Sequence, residues 1–283
     1  MSYDYSENIL VQESAGNLLR DELGWDVQFA YNTEVLGRDG TFGRESYKEI
    51  LLLRYFCEAL KKLNPWINES QITEAQKVLE SRLSTSSLLQ VNEEKYFLIR
   101  DGIPVTVKKP NGQTETKKAA VIDFQNPDNN YFLAIKELKI YGDLYRRRTD
   151  IVGFVNGIPL LFVELKKNTV DVQNAYDDYQ DTIPHLFYYN AFLMLSNGME
   201  AKVGTLGSKY EFFHEWKRLA EEDQGNVALE TMLRGICKKE NFLDLFENFI
   251  LYDHSNGHTA KILARNHQYL GVNEAMKAYA ARK

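Results

Sequence analysis

The sequence has few cysteines and no long apolar run. Its two cysteines, Cys57 and Cys237, are too few for a disulfide framework or a zinc knuckle, which indicates a reduced, cytoplasmic setting. No stretch reaches the roughly 18 consecutive apolar residues of a membrane-spanning helix, so we expect no contact with a membrane. The opening segment MSYDYSENIL lacks the basic and apolar regions of a secretory signal, and we expect none.

Basic residues are not in excess either. Lys and Arg number 34 against 40 Asp and Glu, for a formal net charge of −6. A free-standing DNA-binding domain is usually basic, because neutralising phosphates supplies much of its affinity. Either nucleic acid is not the partner, or the basic surface is local and other domains supply the affinity. One local cluster exists in Arg146, Arg147 and Arg148, although such clusters are often only solvated surface.

The composition is otherwise that of a folded globular protein. Apolar residues make up 44% of the 283 residues and aromatic residues 12%, which is enough for a sizeable core and argues against disorder. Helical periodicity is found towards both ends of the chain and after the central segment. It predicts helices over residues 7–23, 46–62, 73–83, 170–182, 212–219, 226–238 and 242–251, with a serine-rich break at 84–87.

The middle of the chain has a different pattern, in which short apolar runs alternate with turn dipeptides. These runs predict strands over residues 102–107, 119–124, 131–140, 151–155 and 158–164, followed by a hairpin formed by 191–196 and 200–206. The Asn-Gly pairs at 111–112, 156–157 and 197–198 predict tight turns, since both residue types tolerate a positive φ. The sequence therefore predicts an α/β fold with a mixed central β-sheet flanked by helices.

The residues best suited to chemistry lie in the segment RRRTDIVGFVNGIPLLFVELKK, from Arg146 to Lys167. Asp150 begins an apolar strand and Glu164 ends its partner, while Glu164 and Lys166 share one face because side chains alternate along a strand. Two converging carboxylates suit Mg²⁺, with Mn²⁺ as a substitute, and a nearby lysine can orient or deprotonate water or stabilise developing charge. The alternative is that these are ordinary polar residues at strand ends.

The spacing of the two acids sets a geometric condition. A plain two-residue turn at Asn156-Gly157 would place Asp150 opposite Val163 and direct Glu164 to the other face of the sheet. We therefore predict either a three-residue loop with Gly157 in a left-handed conformation or a β-bulge near Pro159.

This segment resembles the core of the PD-(D/E)xK nucleases, and in particular the R (motor) subunit of type I restriction endonucleases. The resemblance extends over nearly the whole chain, through segments at 51–55, 63–65, 98–105, 122–130 and 183–190. It implies a restriction-endonuclease-like fold in which Asp150 and Glu164 bind the metal and Lys166 is the catalytic lysine. Thr149 stands where the family usually has a proline.

Two further residues follow from the resemblance. The family has a glutamine and a tyrosine four residues apart in the helix after the lysine. Tyr179 is our candidate for that tyrosine, but Ala175 stands at the matching glutamine position, and packing against the sheet is the alternative role. Related nucleases also bring a glutamate of the first helix towards the metal. Glu13 is the candidate, with solvated surface as its alternative.

The last residues, KILARNHQY at 261–269 and VNEA at 272–275, look like the lead-in to the family's first helicase domain. Gln268 then matches the glutamine that contacts adenine, although it can also be a polar residue of an amphipathic helix. No Gly-x-x-x-x-Gly-Lys-Ser/Thr loop occurs in the sequence. The resemblance thus implies an endonuclease domain over 1–258 and, over 259–283, the start of a helicase/ATPase domain that stops before the ATP loop.

The leading hypothesis is a Mg²⁺-dependent endonuclease module that hydrolyses phosphodiester bonds of foreign double-stranded DNA, with Arg146 to Arg148 contacting the DNA backbone. Methyltransferase and specificity subunits would be partners, and ATP would serve only the full-length, DNA-translocating parent. A second hypothesis is a catalytically silent docking or regulatory module that binds DNA or partner subunits, which the charge of −6 favours. A repair or recombination nuclease of the same fold is a third.

Overall fold

A six-stranded mixed β-sheet forms the centre of the protein. The computed structural model describes residues 4–82, 86–166, 178–197, 200–226, 228–255 and 257–282. The helices are α1 (Asp4–Asp21), α2 (Leu53–Leu63), α3 (Glu69–Glu80), α4 (Leu88–Asp101), α5 (Leu229–Cys237), α6 (Lys239–Asn248) and α7 (Asn266–Ala280). The strands are β1 (Asp26–Phe29), β2 (Ile103–Lys108), β3 (Thr114–Ala119), β4 (Phe132–Lys136), β5 (Lys139–Tyr141), β6 (Arg146–Arg148), β7 (Ile151–Val155), β8 (Ile158–Leu165), β9 (Phe192–Ser196), β10 (Ala201–Gly204), β11 (Ile250–Asp253) and β12 (Ala260–Leu263).

The central sheet has the strand order β1-β4-β7-β8-β9-β10, with parallel pairs at β1/β4 and β8/β9 and antiparallel pairs elsewhere. Strands β4, β7, β8 and β9 are buried along their whole length, because both faces of the sheet are covered. Helix α1 packs on one face, where Gly16 lies close to Val27 and Lys136. On the other face Phe162 contacts the rings of Tyr179 and Phe187. The predicted α/β architecture is confirmed.

Several predicted elements differ from the structure. Helix α2 begins at Leu53 rather than at residue 46, because the amide of Leu52 instead donates to the carbonyl of Gly157. The apolar run 119–124 is not a strand, since β3 ends at Ala119. Residues 213–219 are not helical, and His214 forms a β-bridge with Val203. The run 131–140 is interrupted where Glu137 takes a positive φ of 54°.

Some predictions fall partly on residues outside the described ranges. Of the helix predicted over 170–182, residues 178–182 are helical and 170–177 lie outside the description. Also outside the described ranges are residues 84–85 of the serine-rich break and residue 198 of the third Asn-Gly turn. Helix α4 was not predicted at all, although Ser87 and Gln90 form a reciprocal capping box at its start.

The hairpin of β7 and β8 contains a bulge. Its turn has two residues, Asn156 and Gly157, with φ values of 51° and 79°. Beyond the turn, Phe154 pairs with Pro159 but Gly153 pairs with Leu161, so Leu160 is an extra residue. The carbonyl of Leu160 is satisfied by the amide of Ala191, at 2.7 Å. Of the two predicted alternatives, the bulge near Pro159 is confirmed and the three-residue loop is wrong, although Gly157 does take the left-handed conformation predicted with that loop.

Gly157 is required at this turn for two reasons, and its replacement by alanine should be costly. Its φ is positive, and a Cβ there would lie 2.4 Å from the carbonyl oxygen of Leu52. We expect Gly157→Ala to lower the free energy of unfolding by about 2–4 kcal/mol in urea denaturation. Gly112→Ala is the matched control, because Gly112 has a φ of 84° but nothing within 4 Å, and it should lose only about 1 kcal/mol. Equal losses in the two variants would contradict the steric argument.

The C-terminal residues are packed onto the rest of the fold. Strand β12 pairs antiparallel with β11, and the ring of Tyr269 in α7 contacts the rings of Trp216 and Phe249 at 5.5 and 4.9 Å. The boundary that the resemblance implies at 258/259 thus lies within a paired hairpin. Among the described helices, none combines the length and apolar character needed to cross a membrane.

Candidate active site

Asp150 and Glu164 meet at the open end of the β7–β8 hairpin. Ile151 pairs with Val163, so the next residues outward, Asp150 and Glu164, are opposite each other and leave the sheet on the same face. The amide of Leu165 donates to Asp150 Oδ2 at 2.6 Å, which holds that carboxylate against the end of β8. The bulge at Leu160 is therefore what brings the two acids together.

Lys166 completes this cluster from the end of β8. Its backbone amide donates to the carbonyl of Ser196 at 2.7 Å, and its Nζ lies 2.5 Å from Glu164 Oε1. Glu164 is only 1% exposed, whereas the Lys166 side chain is 29% exposed and reaches towards solvent. Glu164 Oε2 is buried and has no hydrogen-bond partner within the described part of the chain. A buried ionised carboxylate oxygen without a donor is costly unless it is protonated or bound by a ligand.

The electrostatics of the pair favour protonation in the absence of a cation. Burial, together with the negative charge of Asp150, raises the pKa of Glu164 to about 8, against the lowering influence of Lys166. Burial also raises the pKa of Asp150, although the amide of Leu165 opposes the change. Two buried acids with raised pKa values and one adjacent lysine form a site whose negative charge is incompletely compensated.

Tyr179 covers the same face of the sheet. Its ring packs edge-on against Phe162 with centroids 5.2 Å apart, and its hydroxyl donates to the carbonyl of Arg148 at 3.0 Å. Burial and the nearby charges of Glu164 and Asp150 raise the pKa of its hydroxyl. Hydrogen bonding between this hydroxyl and Glu164 also raises the pKa of Tyr179 and opposes the rise in the pKa of Glu164. The alternative role of packing against the sheet is thus observed, next to the acids.

Two residues at the site were missed by the sequence analysis. Gln12 in α1 donates from Nε2 to the carbonyl of Asp150 at 3.1 Å, and the amide of Glu137 donates to the same oxygen at 2.9 Å. Glu137 is 8% exposed, and its negative charge contributes to the raised pKa of Asp150. Nothing in the sequence predicts that a glutamate within an apolar run adopts a left-handed backbone, so Glu137 gave no usable signal.

Comparison with known proteins places the chain in a family. A family model described as the type I restriction enzyme R protein N terminus matches residues 4–212. The chain belongs to this family. The chain is also similar to the type I restriction enzyme HindI endonuclease subunit of Haemophilus influenzae, with 32% identity over 267 residues, covering 90% of this chain and 25% of the relative.

A second relative is the putative type I restriction enzyme MjaIXP endonuclease subunit of Methanocaldococcus jannaschii. It is 28% identical over 260 residues, covering 82% of this chain and 24% of the relative. The chain thus spans about a quarter of the length of the curated relatives it matches. The match to R protein N termini confirms the family that the sequence was found to resemble.

Glu13, which the family resemblance suggested as a further acid, lies apart from the pair. It accepts from Lys136 Nζ at 2.5 Å and is about half exposed. Lys136 pairs with Ile151, so its side chain leaves the sheet on the face opposite to Asp150 and Glu164. Helix α1 reaches the acids through the neighbouring residue Gln12 instead.

The three arginines Arg146 to Arg148 form β6, and each is engaged with a different partner. Arg146 stacks over the Tyr141 ring, and Arg147 pairs with Asp178 at 2.5 Å. Arg148 lies 3.3 Å from Glu137 Oε2. Arg146 and Arg148 remain exposed on the β5–β6 hairpin, which directly precedes Asp150 in the sequence.

Gln268 lies outside the residues that the family model matches. In the structure its Oε1 accepts from the amide of Arg265 at 2.8 Å, at the start of α7. The observed contact is therefore a helix cap.

Proposed function

We propose that this chain is a Mg²⁺-dependent endonuclease module with a PD-(D/E)xK active site, formed by Asp150, Glu164 and Lys166. The observation that supports this most directly is the buried, unpartnered Oε2 of Glu164, opposite Asp150 and beside the partly exposed Lys166. The substrate would be the phosphodiester backbone of double-stranded DNA. The relatives named as restriction endonuclease subunits support the same activity.

The donor set suits a cation that keeps several of its own waters. Among the described residues, no three Asp, Glu, His or Cys side chains are close enough to form a complete metal site. Two carboxylates fit Mg²⁺ or Mn²⁺, which commonly bind proteins through one or two carboxylates plus water and phosphate oxygens. Asp150 and the free oxygen of Glu164 would hold the ion, which would supply Lewis-acid stabilisation of the phosphate.

The side chains divide the remaining work. Asp150 is fixed by the amide of Leu165, so one of its oxygens is oriented before any ligand arrives. Lys166 is placed to hold the attacking water through Nζ, or to stabilise the charge that develops on the phosphate oxygens, because its exposed side chain ends beside Glu164. Tyr179 and Phe162 cover the acids and exclude water from their buried side.

The wider biology follows from the family. The chain covers about a quarter of the length of its relatives. From the family resemblance we propose that the complete R protein is an ATP-dependent DNA translocase acting in the cytoplasm on foreign DNA. The methyltransferase and specificity subunits would be its partners. In this parent, Gln268 would exchange its contact with Arg265 for the adenine of ATP, and Arg146 to Arg148 would contact the DNA backbone.

A second candidate is a docking or regulatory module without nuclease activity, and the net charge of −6 favours it for the isolated chain. Such a module would not need an unpartnered carboxylate oxygen in its interior. The two functions make opposite predictions for the purified protein.

Supercoiled plasmid incubated with the purified chain at low salt should be nicked in Mg²⁺ or Mn²⁺ and left intact in EDTA. Asp150→Asn should abolish nicking, because it removes half of the carboxylate pair. Asp128→Asn is a control at an exposed ion pair with Lys239 and should cut like the unaltered protein. If a folded, unaltered chain binds plasmid but never nicks it in either metal, the docking function is correct instead.

A further inference from the structure

The hairpin of β5 and β6 ends in an exposed apolar tip. Tyr141 pairs with Arg146, and the amide of Gly142 donates to the carbonyl of Tyr145 at 2.8 Å, so Asp143 and Leu144 form the central pair of the turn. Leu144 is 89% exposed, the highest value among the large apolar side chains of the described residues, and Tyr145 is 51% exposed. Turns usually carry polar residues at this position.

The base of this hairpin is held in place on two sides. The amide of Tyr141 donates to the carbonyl of Tyr47 at 2.9 Å, and Arg147 Nε donates to Thr182 Oγ1 at the same distance. Gly142 is packed so closely that a Cβ would lie 2.3 Å from the carbonyl oxygen of Thr182. Because these contacts fix the base, the tip cannot easily fold back to bury Leu144.

Two exposed arginines of β6 flank the hairpin below the tip. Arg146 lies over the Tyr141 ring at 5.1 Å, and Arg148, which also lies 3.3 Å from Glu137 Oε2, lies over the Tyr31 ring at 4.7 Å. The one acid of the turn, Asp143, is 3.2 Å from Lys48, which offsets its charge. Single exposed leucines are common on protein surfaces. An apolar tip between stacked cations is complementary to a partner with an anionic exterior and an apolar interior.

The tip is also close to the acids along the chain. Leu144 precedes Asp150 by six residues, so the two can be at most about 20 Å apart. This distance corresponds to about six base-pair steps of B-DNA. A duplex with its phosphate at Asp150 and Glu164 would therefore extend past the hairpin.

We propose that Leu144 is a wedge that inserts between base pairs of the DNA duplex beside the cleavage site, with Tyr145 contacting the unstacked base. This inference rests on the proposed nuclease function and adds a distortion step to it. Inserted leucine side chains unstack one base-pair step and bend the duplex, and the contacts added by the bend offset the cost of unstacking. Here those added contacts would be made by Arg146 and Arg148.

The test uses the whole chain and a short duplex in which several adenines are replaced by 2-aminopurine. Ca²⁺ replaces Mg²⁺, so that binding is measured without cleavage. The unaltered protein should raise 2-aminopurine fluorescence and make thymines reactive to permanganate. Leu144→Ala should lose most of both signals and bind the duplex up to about tenfold more weakly. Leu144→Phe should keep both signals. Leu251→Ala, at a 64% exposed leucine of β11, is the matched control.

The outcomes separate this inference from the nuclease proposal. If the chain nicks plasmid and binds duplex, but Leu144→Ala gives the same unstacking signals as the unaltered protein, the wedge is wrong and the nuclease stands. If Leu144→Ala leaves DNA distortion unchanged but weakens binding to a protein subunit, the tip is a protein-docking surface and the wedge is again wrong. If the chain neither binds nor nicks DNA, both proposals fail.

Discussion

Lys166→Met should reduce metal-dependent DNA nicking by about a thousandfold while leaving metal binding intact. The methionine keeps most of the side-chain volume but removes the ammonium group that is 2.5 Å from Glu164 Oε1. Losing this positive charge frees a carboxylate oxygen, so affinity for Mn²⁺ should stay equal or increase. Nicking rates on plasmid and Mn²⁺ titration calorimetry measure the two effects separately.

Two comparisons make this result specific. Asp150→Asn should lose nicking and metal affinity together, because Asp150 is proposed to hold the ion. Lys202→Met is the matched control, since the Lys202 side chain has a similar exposure of 23% and pairs with Glu200 at 3.4 Å on the neighbouring hairpin. Lys166 would have no catalytic role if Lys166→Met and Lys202→Met nicked at the same rate.

The stability of the unaltered protein relative to Lys261→Met should increase as the pH rises from about 7 to about 10, because the other groups with shifted pKa values contribute equally to both proteins. Lys261 is fully enclosed, and its Nζ donates to Asn92 Oδ1 at 2.9 Å and to the carbonyl of Asn190 at 2.6 Å. Burial lowers its pKa to about 7. Burial alone accounts for the lowered pKa, and no carboxylate among the described residues opposes it.

The sign follows from proton binding in the two states. An unfolded lysine titrates near pH 10.4, so between about pH 7 and pH 10 the unfolded chain holds one proton more than the folded one. The lowered pKa of Lys261 therefore makes its contribution to the free energy of unfolding depend on pH. This contribution is largest above about pH 10 and falls by about 1.4 kcal/mol per pH unit as the pH decreases to about 7.

Urea denaturation across this range measures the effect. Lys209→Met, at an 81% exposed lysine, should keep the slope of the unaltered protein. Because Lys261→Met also removes two hydrogen bonds, the comparison uses the slope with pH and not the stability at one pH. An unchanged slope in Lys261→Met would mean that Lys261 stays charged in the folded protein.

Much of the central hairpin could be predicted from its sequence, because two local rules determine it. The Asn156-Gly157 pair specifies a tight turn, and strand alternation then allows Asp150 and Glu164 to share a face only if an odd residue is inserted. The structure contains that residue as Leu160. The family was also accessible from the sequence, because its resemblance extended over many separate segments.

Other features depend on contacts that no local pattern records. The start of α2 is delayed by a hydrogen bond from Leu52 to Gly157, more than a hundred residues away. The placement of Glu13 beside Lys136, instead of beside the acids, depends on which face of the sheet α1 covers. Likewise, the left-handed Glu137 is fixed by its pairing with Asp150, and its own residue type disfavours that conformation.

The bulge at Leu160 also limits how this hairpin can change in evolution. Adding or removing a single residue in a regular antiparallel pair exchanges inward and outward side chains beyond that point. Such a change here would move one carboxylate to the face where Lys136 and Glu13 form an ion pair. Homologous chains that keep both acids on one face should therefore differ in the length of the β7–β8 hairpin by two residues at a time. A difference of one residue is expected only where the β-bulge itself is gained or lost.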